Sequence, residues 1–384
     1  MPRMTSRERV RTALNHREPD RVPVCIGGTA AKMTESRFDR LAAHFGIRGQ
    51  VAPVLVGPQL MRQDPRVLAA LGSDVRYVHL RPPAGFRTRP APGRGWSDEW
   101  GLTYWEHPET RVYELSGQPL AEATASDLDS FEWPDPRDPA RVAGLRAEAA
   151  KRFTETDCAL VAYRPVMLGV FEIAQQLRGM VNLLEDMALR PEFAEALFWK
   201  VQQVVKDFYF VQLEAVGEFV EWVEVLDDLG SQRGPLISPA MYRSLLKPVH
   251  ADLIRSIKRH TPGMRVMYHS CGGVRAFIPD FIDNGVDILN PIQVAASGMD
   301  PAALKAEFGD RLCFLGGVDS QHTMQTTPEA VRAEVKRRLR EMGPGGGYIL
   351  APSHNIGDDV PMENILAFFE AGRQHGRYPL TGNS

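Results

Sequence analysis

The chain has 384 residues, of which 43% are hydrophobic and 24% are charged, and its formal net charge is -3. These values are ordinary for a globular protein, and a chain of this size can bury a stable core without disulfides or a structural metal. Because both signs of charge are interspersed along the sequence, we expect neither nucleic acid nor an anionic membrane as a partner.

The N-terminus and the spacing of the cysteines indicate the cellular compartment of the protein. Residues 1–11 are polar and basic without an apolar stretch, so we expect no signal peptide. No apolar run approaches the roughly 20 residues that span a bilayer. Cys25, Cys158, Cys271 and Cys313 are too widely spaced for a secreted disulfide framework. We therefore predict a cytoplasmic protein with reduced thiols, in which a cysteine beside other ligands is a candidate for chemistry.

Predicted strands and helices alternate along most of the chain. Thr5 and Glu8 form a capping box that predicts the first helix, and a strand follows at 22–26. The segment from about 81 to 115 is rich in Pro, Gly, Arg and Trp, which indicates an inserted region of loops and hairpin strands. Further apolar, strand-like runs lie at 75–80, 158–163, 220–226, 266–269, 286–289, 312–316 and 348–351.

Two of the intervening helices have clear end signals. Ser238 is a suitable N-cap with Pro239 at the first helical position, and apolar residues then recur at helical spacing. Pro248 predicts a kink in this helix. A second helix, around residues 331–339, is predicted to end at Gly343.

This alternation predicts the fold. Strands separated by helices form right-handed βαβ units and a parallel sheet, and eight such strands close a barrel. A doubly wound open sheet is the alternative, but it carries a glycine-rich phosphate turn after the first strand. Gly27 and Gly28 are too few for that turn. We predict an α/β protein with one (β/α)₈ TIM-barrel domain over residues 1–384 and an insertion at about 81–115, near the barrel mouth.

Polar side chains follow one predicted strand after another. The active site of such a barrel lies at the carboxyl ends of its strands, so these residues are candidates for function. Asp227, Asp228 and Tyr268 are candidate catalytic residues, for acid–base chemistry, substrate anchoring or orientation of a ligand histidine. The candidate substrate-binding residues are Gln232, Asn290, Gln293 and Asp319.

A His-x-Cys pair predicts a metal site. Residues two apart at a strand end point the same way, so His269 and Cys271 can reach one point. Imidazole and thiolate suit zinc, and His354, after the last strand, is the predicted third ligand, which leaves one position open for substrate. The alternative is that Cys271 packs as a small apolar residue and His269 bonds to the backbone. Glu224, inside an apolar strand, is a further candidate ligand, whereas Cys25, Cys158 and Cys313 are expected to pack in the core.

Six segments together resemble one family across nearly the whole chain: SRERV at 6–10, EPDRVP at 18–23, DDLGSQ at 227–232, HSCGG at 269–273, GGVD at 316–319 and VPMENI at 360–365. They are similar to the uroporphyrinogen decarboxylase superfamily, whose members fold as (β/α)₈ barrels. True decarboxylases of that family hold the acidic side chains of their substrate with arginines just after the first strand. Residues 25–30 contain no arginine here, so the resemblance does not favour porphyrinogen decarboxylation.

The chain more closely resembles the branch of zinc- and corrinoid-linked methyltransferases. Their zinc ligands are His-x-Cys and a later Cys, and His354 stands where that later Cys is expected. The resemblance implies transfer of a methyl group between a small-molecule donor and a corrinoid, with zinc as cofactor. Because no cobalamin-binding segment of the form Asp-x-His-x-x-Gly occurs, a separate partner protein would carry the corrinoid.

Other readings stay open at this point. One is a lyase or decarboxylase acting on a small carboxylic acid, with Asp227 or Asp228 moving the proton. Another is a barrel without catalysis that serves as a binding subunit. We expect no nucleic acid or membrane partner, and a homodimer is allowed.

Overall fold

The computed structural model describes residues 3–29, 31–49, 54–56, 59–61, 64–86, 96–106 and 113–380. Within these ranges the strands are β1 (Val54–Val56), β2 (Gln59–Met61), β3 (Val75–Val78), β4 (Trp96–Ser97), β5 (Thr103–Glu106), β6 (Tyr113–Gly117), β7 (Ala159–Ala162), β8 (Val220–Leu226), β9 (Gly230–Ser231), β10 (Gly234–Pro235), β11 (Arg265–His269), β12 (Ile288–Asn290), β13 (Cys313–Val318) and β14 (Tyr348–Pro352).

Seven of these strands form one parallel sheet in the order β14-β13-β12-β11-β8-β7-β3. The segment around Val24 lies between the two end strands. Cys25 N–H donates to the Leu350 carbonyl at 2.9 Å, and Asp74 N–H donates to the Val24 carbonyl at 2.8 Å. The predicted (β/α)₈ barrel is therefore confirmed, with its eighth position filled by isolated bridges. The strand predicted at 22–26 is not regular because the Asp74 carboxylate accepts from Val24 N–H.

Helices surround this barrel. They are α1 (Ser6–Leu14), α2 (Glu35–His44), α3 (Pro65–Leu71), α4 (Asp127–Ser130), α5 (Leu145–Glu155), α6 (Val170–Arg178), α7 (Met180–Leu189), α8 (Pro191–Val216), α9 (Pro239–Met241), α10 (Lys247–His260), α11 (Ile278–Asn284), α12 (Pro301–Phe308), α13 (Pro328–Met342) and α14 (Met362–His375). The capping box of Thr5 and Glu8 is present at α1, and Gly343 follows α13 as predicted. No described helix is long and apolar enough to cross a membrane.

The helix predicted after Ser238 is interrupted. Ser238 caps α9, a π-helical turn spans Tyr242–Leu246, and α10 follows with Pro248 in its first turn. Proline cannot donate a backbone hydrogen bond, so the residues before it take a wider turn. The predicted disturbance at Pro248 is confirmed.

The inserted region contains hairpin strands where the structure describes it. β4, β5 and β6 form an antiparallel sheet, and residues 87–95 and 107–112 lie outside the described part of the chain. A cavity of about 210 Å³ separates this region from the loop after β7, at Pro165–Leu168. The insertion therefore lies on the mouth side of the barrel.

Side chains alternate between two cores. Tyr77, Trp222 and Met267 belong to the cluster inside the barrel, and Val78, Val223 and Tyr268 belong to the larger cluster between the sheet and the helices. This is the period of two expected of strands. Cys25 and Cys313 are buried inside the barrel as predicted, whereas Cys158 precedes β7 and is only half-buried.

Candidate metal centre

Two loops at the barrel mouth are joined by hydrogen bonds, one after β8 and one after β11. Asp227 N–H donates to the His269 carbonyl at 3.0 Å, and Leu229 N–H donates to Ser270 Oγ at 3.1 Å. Gly272 has a φ of +82°, and a Cβ there would lie 2.5 Å from the Gly230 carbonyl carbon. The glycine therefore allows the HSCGG segment to pack directly on the neighbouring loop.

This packing brings three ligand groups together. One ligand atom each from Asp228, His269 and Cys271 lies within 4.8 Å of the others. Cys271 Sγ is 3.3 Å from His269 Nε2, and Asp228 Oδ1 is 3.7 Å from the same nitrogen. The Cys271 backbone N–H donates to Asp228 Oδ1 at 2.8 Å, which orients the carboxylate. Nitrogen, sulfur and carboxylate oxygen together are a donor set that zinc accepts.

Asn290 fixes the imidazole of His269. The Asn290 side-chain amide donates to the Leu315 carbonyl at 3.0 Å, so its Oδ1 accepts from His269 Nδ1 at 2.6 Å. The proton is thereby placed on Nδ1, and Nε2 keeps the lone pair that faces Cys271 and Asp228. A metal-binding histidine is commonly oriented in this way. Asn290, predicted to bind substrate, is placed by the structure behind the predicted ligand.

The electrostatics at this point suit a cation. Burial lowers the pKa of His269 to about 4, so its imidazole is neutral, as a ligand must be. Burial, and then the negative charge of Asp228, raise the pKa of the Cys271 thiol well above its usual range. Burial and the charges of Asp228 and Asp227 raise the pKa of Glu172 to about 8. A bound cation would relieve this clustering of acids and stabilise the thiolate.

His354 and Glu224 lie outside the three-residue group. His354 follows β14, is half-buried, and is close enough to lower the pKa of His269 by its charge. Its role as third ligand stays a prediction, with Asp228 as the residue that the geometry places beside the pair. Glu224 is buried, and its Oε2 accepts from Thr29 Oγ1 at 2.7 Å. Burial raises its pKa to about 7.

Asp227 faces away from this group. Its carboxylate accepts from the backbone N–H groups of Phe171 at 2.9 Å and Glu172 at 3.0 Å, and lies 2.8 Å from His250 Nε2. Gly169 leaves the space that this requires, because a Cβ there would be 2.3 Å from the Asp227 carboxyl carbon. Asp227 therefore caps α6 and ties it to α10.

Tyr268 lies in the same layer as His250. Its hydroxyl is 3.3 Å from His250 Nδ1, and its ring packs on Phe281 with a centroid distance of 4.6 Å. Burial raises the pKa of this hydroxyl well above its usual range. Among the described residues, the side chains of Tyr268 and Asp227 make no hydrogen bond with Asp228, His269 or Cys271, and their catalytic roles stay predictions.

The remaining predicted substrate-binding residues have different surroundings. Gln293 is buried and accepts from Gly272 N–H, so it supports the Cys271 loop. Asp319 accepts from the N–H groups of Gln321 and His322 and shapes the turn after β13. Gln232 is exposed at the rim. Their predicted contact with substrate is untested.

Three further residues at the mouth were not predicted. Arg164 lies two residues after the end of β7 and is 7% exposed, and reading the residue that follows the predicted strand 158–163 could have found it. Glu172 lies in the first turn of α6, where its Oε2 accepts from Gly169 N–H at 3.2 Å. Lys32, 8% exposed, lies six residues after Ile26 and had no signal in the sequence.

Comparison with known proteins connects this barrel to a family. Residues 114–375 match the family described as Uroporphyrinogen decarboxylase (URO-D). A uroporphyrinogen decarboxylase of Alkalilimnicola ehrlichii is 25% identical over 387 residues, covering 96% of this chain and 93% of that protein. One of Psychromonas ingrahamii is 24% identical over 251 residues, covering 64% of this chain and 67% of that protein.

A solved structure extends the comparison to the whole fold. The methyltransferase from Methanosarcina mazei aligns with a TM-score of 0.65 at 19% identity, covering 97% of this chain and 99% of that chain. At this identity the likeness concerns the fold alone. The chain belongs to the uroporphyrinogen decarboxylase family.

Proposed function

We propose that the chain is a zinc-dependent methyltransferase that moves a methyl group between a small-molecule donor and a corrinoid carried by a partner protein. The observation that carries this proposal is the group of Asp228, His269 and Cys271, with ligand atoms within 4.8 Å of one another at the barrel mouth. A group of this composition suits a catalytic zinc with an open position for substrate. The same methyl transfer is implied by the resemblance in the His-Ser-Cys-Gly-Gly segment.

Methyl transfer requires stabilisation of the heteroatom that loses the methyl group. When a methyl group leaves oxygen, nitrogen or sulfur as a cation equivalent, that heteroatom keeps the bonding electron pair. A basic leaving group must therefore be stabilised as it departs. Bound at this group, zinc would act as a Lewis acid toward the heteroatom.

The chain's own residues would prepare this site. Asn290 holds the His269 ring so that Nε2 faces the open centre. The Cys271 N–H orients the Asp228 carboxylate, and Gln293 supports the loop through Gly272. His354, whose charge acts on His269, is the predicted further ligand or a substrate contact. These hydrogen bonds keep the donor atoms in place before substrate arrives, which limits reorganisation during reaction.

A carboxy-lyase acting on a small acid is the second candidate. It is supported by the relatives named uroporphyrinogen decarboxylase and by the buried cations Arg164 and Lys32 at the same mouth. An acid substrate would place its carboxylate near those cations. The two candidates differ in product and in their need for a corrinoid.

Metal analysis and a spectroscopic assay test the proposal. We expect the purified protein to hold about one zinc per chain, as one catalytic site requires. With zinc bound, a donor panel of aryl methyl ethers, methylamines, thioethers and chloromethane should convert cobalt(I) corrinoid to methyl-cobalt(III), followed by absorbance. Cys271→Ala should abolish both zinc retention and this conversion, whereas Cys158→Ala, on the half-buried cysteine before β7, should change neither.

Three results would contradict the proposal. One is a protein that stays metal-free after zinc addition. A second is turnover that persists in Cys271→Ala. The third is metal-dependent release of carbon dioxide from a small acid without any corrinoid, which would favour the carboxy-lyase.

A further inference from the structure

Two buried cationic side chains, Arg164 and Lys32, lie at the same barrel mouth as the donor group, which is the set of predicted metal ligands Asp228, His269 and Cys271. The Arg164 guanidinium carbon lies 5.1 Å from the centre of the Tyr163 ring, and Lys32 Nζ lies 5.6 Å from the same centre. The side chains are 7% and 8% exposed. Both cations therefore lie close to the Tyr163 ring and form a single patch, although they are far apart in the sequence.

Neither cation has a carboxylate partner within 4.0 Å among the described residues. Arg164 Nε is buried with no hydrogen-bond partner in the described part of the chain, and Arg164 Nη2 lies 3.8 Å from Met167 Sδ. By contrast, buried Arg178 pairs with Asp186 at 2.7 Å. A buried charge without a partner is costly, so Arg164 is a group prepared for something absent from the protein itself.

Among the described residues, the neighbouring side chains Glu224 and His79 do not form an ion pair with Arg164 or Lys32. Glu224 is an acid whose charge interacts with both cations, and its Oε2 accepts a hydrogen bond from Thr29 Oγ1. Glu224 Oε1 has no partner among the described residues. The charges of Arg164 and Lys32 both lower the pKa of Glu224, against a larger upward effect of burial. His79, whose ring is 4.6 Å from that of Tyr163, is kept neutral because burial lowers its pKa to about 3.

The patch and the donor group belong to one site. Arg164 follows β7 and Asp228 follows β8, which is the neighbouring strand, and β11 with His269 comes next. Lys32 N–H donates to Asn355 Oδ1 at 3.0 Å, which places Lys32 beside His354. The charge of Arg164 also acts on His269 and Glu172. The cations and the metal donors therefore lie on neighbouring segments of one rim.

We infer that Arg164 and Lys32 form a subsite for a carboxylate, so that the substrate is a small molecule with a carboxylate at one end and a methylated heteroatom at the other. The flat, forked guanidinium matches two carboxylate oxygens, and Lys32, whose pKa burial lowers to about 7, adds a point charge when it is protonated. This inference rests on the proposed function only for the methylated end. The carboxylate subsite is argued from the cations alone.

Equilibrium binding tests the subsite without turnover. Matched pairs would be titrated into the zinc-loaded full-length protein: methoxyacetate with methoxyacetamide, and meta-methoxybenzoate with meta-methoxybenzamide. We expect at least one carboxylate to bind roughly tenfold or more tightly than its amide, because the charge-assisted bonds are lost in the amide. Arg164→Gln and Lys32→Met should each reduce this preference. Arg255→Gln, on an exposed arginine of the outer helix α10, is the matched control and should keep it.

Thermal unfolding without ligand separates a binding role from a structural one. An unpaired buried cation should cost stability, so Arg164→Gln should unfold at the same temperature as the parent or higher. A markedly lower temperature would mean that Arg164 supports the fold, and would overturn the inference. So would equal binding of every carboxylate and its amide, or a preference that survives in Arg164→Gln through direct contact with zinc. Tight carboxylate binding without methyl transfer would retain the subsite and refute the proposed function.

Discussion

Asp227 and Asp228 are adjacent in sequence, but we expect replacement of Asp227 to lower the stability of the fold and replacement of Asp228 to lower the affinity for zinc. Asp227 is fully buried, and its carboxylate has two backbone N–H donors and His250 at distances of 2.8–3.0 Å. In Asp227→Ala these donors would be left buried without an acceptor. Each unsatisfied buried group costs about 1–3 kcal/mol, so the free energy of unfolding should fall by roughly 3–5 kcal/mol.

Asp228→Asn should behave differently. The new side chain keeps an oxygen that can accept from Cys271 N–H, so the fold should be unaffected. The oxygen that accepts from Cys271 N–H is the same Oδ1 that lies 3.7 Å from His269 Nε2, so what the variant loses is the negative charge of this ligand. Zinc affinity should therefore fall by more than the roughly 10–100-fold that loss of an outer hydrogen-bond partner costs.

Two measurements on the same preparations test these assignments of Asp227 and Asp228. Denaturant unfolding followed by circular dichroism gives the midpoint of each variant, and competition with a chelating dye gives the zinc dissociation constant. We expect Asp227→Ala to lose stability and Asp228→Asn to lose zinc. If instead Asp227→Ala unfolds like the parent while Asp228→Asn is unstable with unchanged zinc affinity, our assignment of the two carboxylates is wrong.

Three further predictions concern neighbouring residues. Asn290→Leu removes the acceptor for His269 Nδ1 and should weaken zinc binding by about 10–100-fold in the dye assay, whereas Asn290→Asp, which keeps an acceptor, should retain most of it. His354→Ala should weaken zinc binding and His354→Cys should preserve it; unchanged affinity in His354→Ala would make Asp228 the third ligand. Burial lowers the pKa of Lys32 from 10.5 to about 7, so the unfolded chain binds more protons between these pH values. The free energy of unfolding should thus rise with pH across that window, by up to about 4 kcal/mol relative to Lys32→Met, and parallel pH profiles would refute it.

Local patterns in the sequence were sufficient to predict the fold and the centre of the site. The alternation of apolar runs and capped helices predicted a (β/α)₈ barrel, and seven of the eight expected strands are regular. His269 and Cys271 were found from their spacing at a strand end, because that spacing alone makes side chains point the same way. The carboxyl ends of neighbouring parallel strands meet at one rim, so Asp228 and Asn290 were found by the same rule.

Only the tertiary structure decided which of these polar residues face one another. The sequence cannot distinguish Asp227 from Asp228, since the direction of each side chain is set by the loop after β8 and by the N-terminus of α6 that Asp227 caps. Asn290 likewise is the hydrogen-bond partner of His269, a contact that its predicted role in substrate binding did not include. Lys32 and Arg164 are brought to one tyrosine ring by closure of the barrel. Both side chains are buried, and neither has a carboxylate within 4.0 Å in the part of the chain that the structure describes. These two properties arise only when distant segments pack together, so no local sequence pattern predicts them.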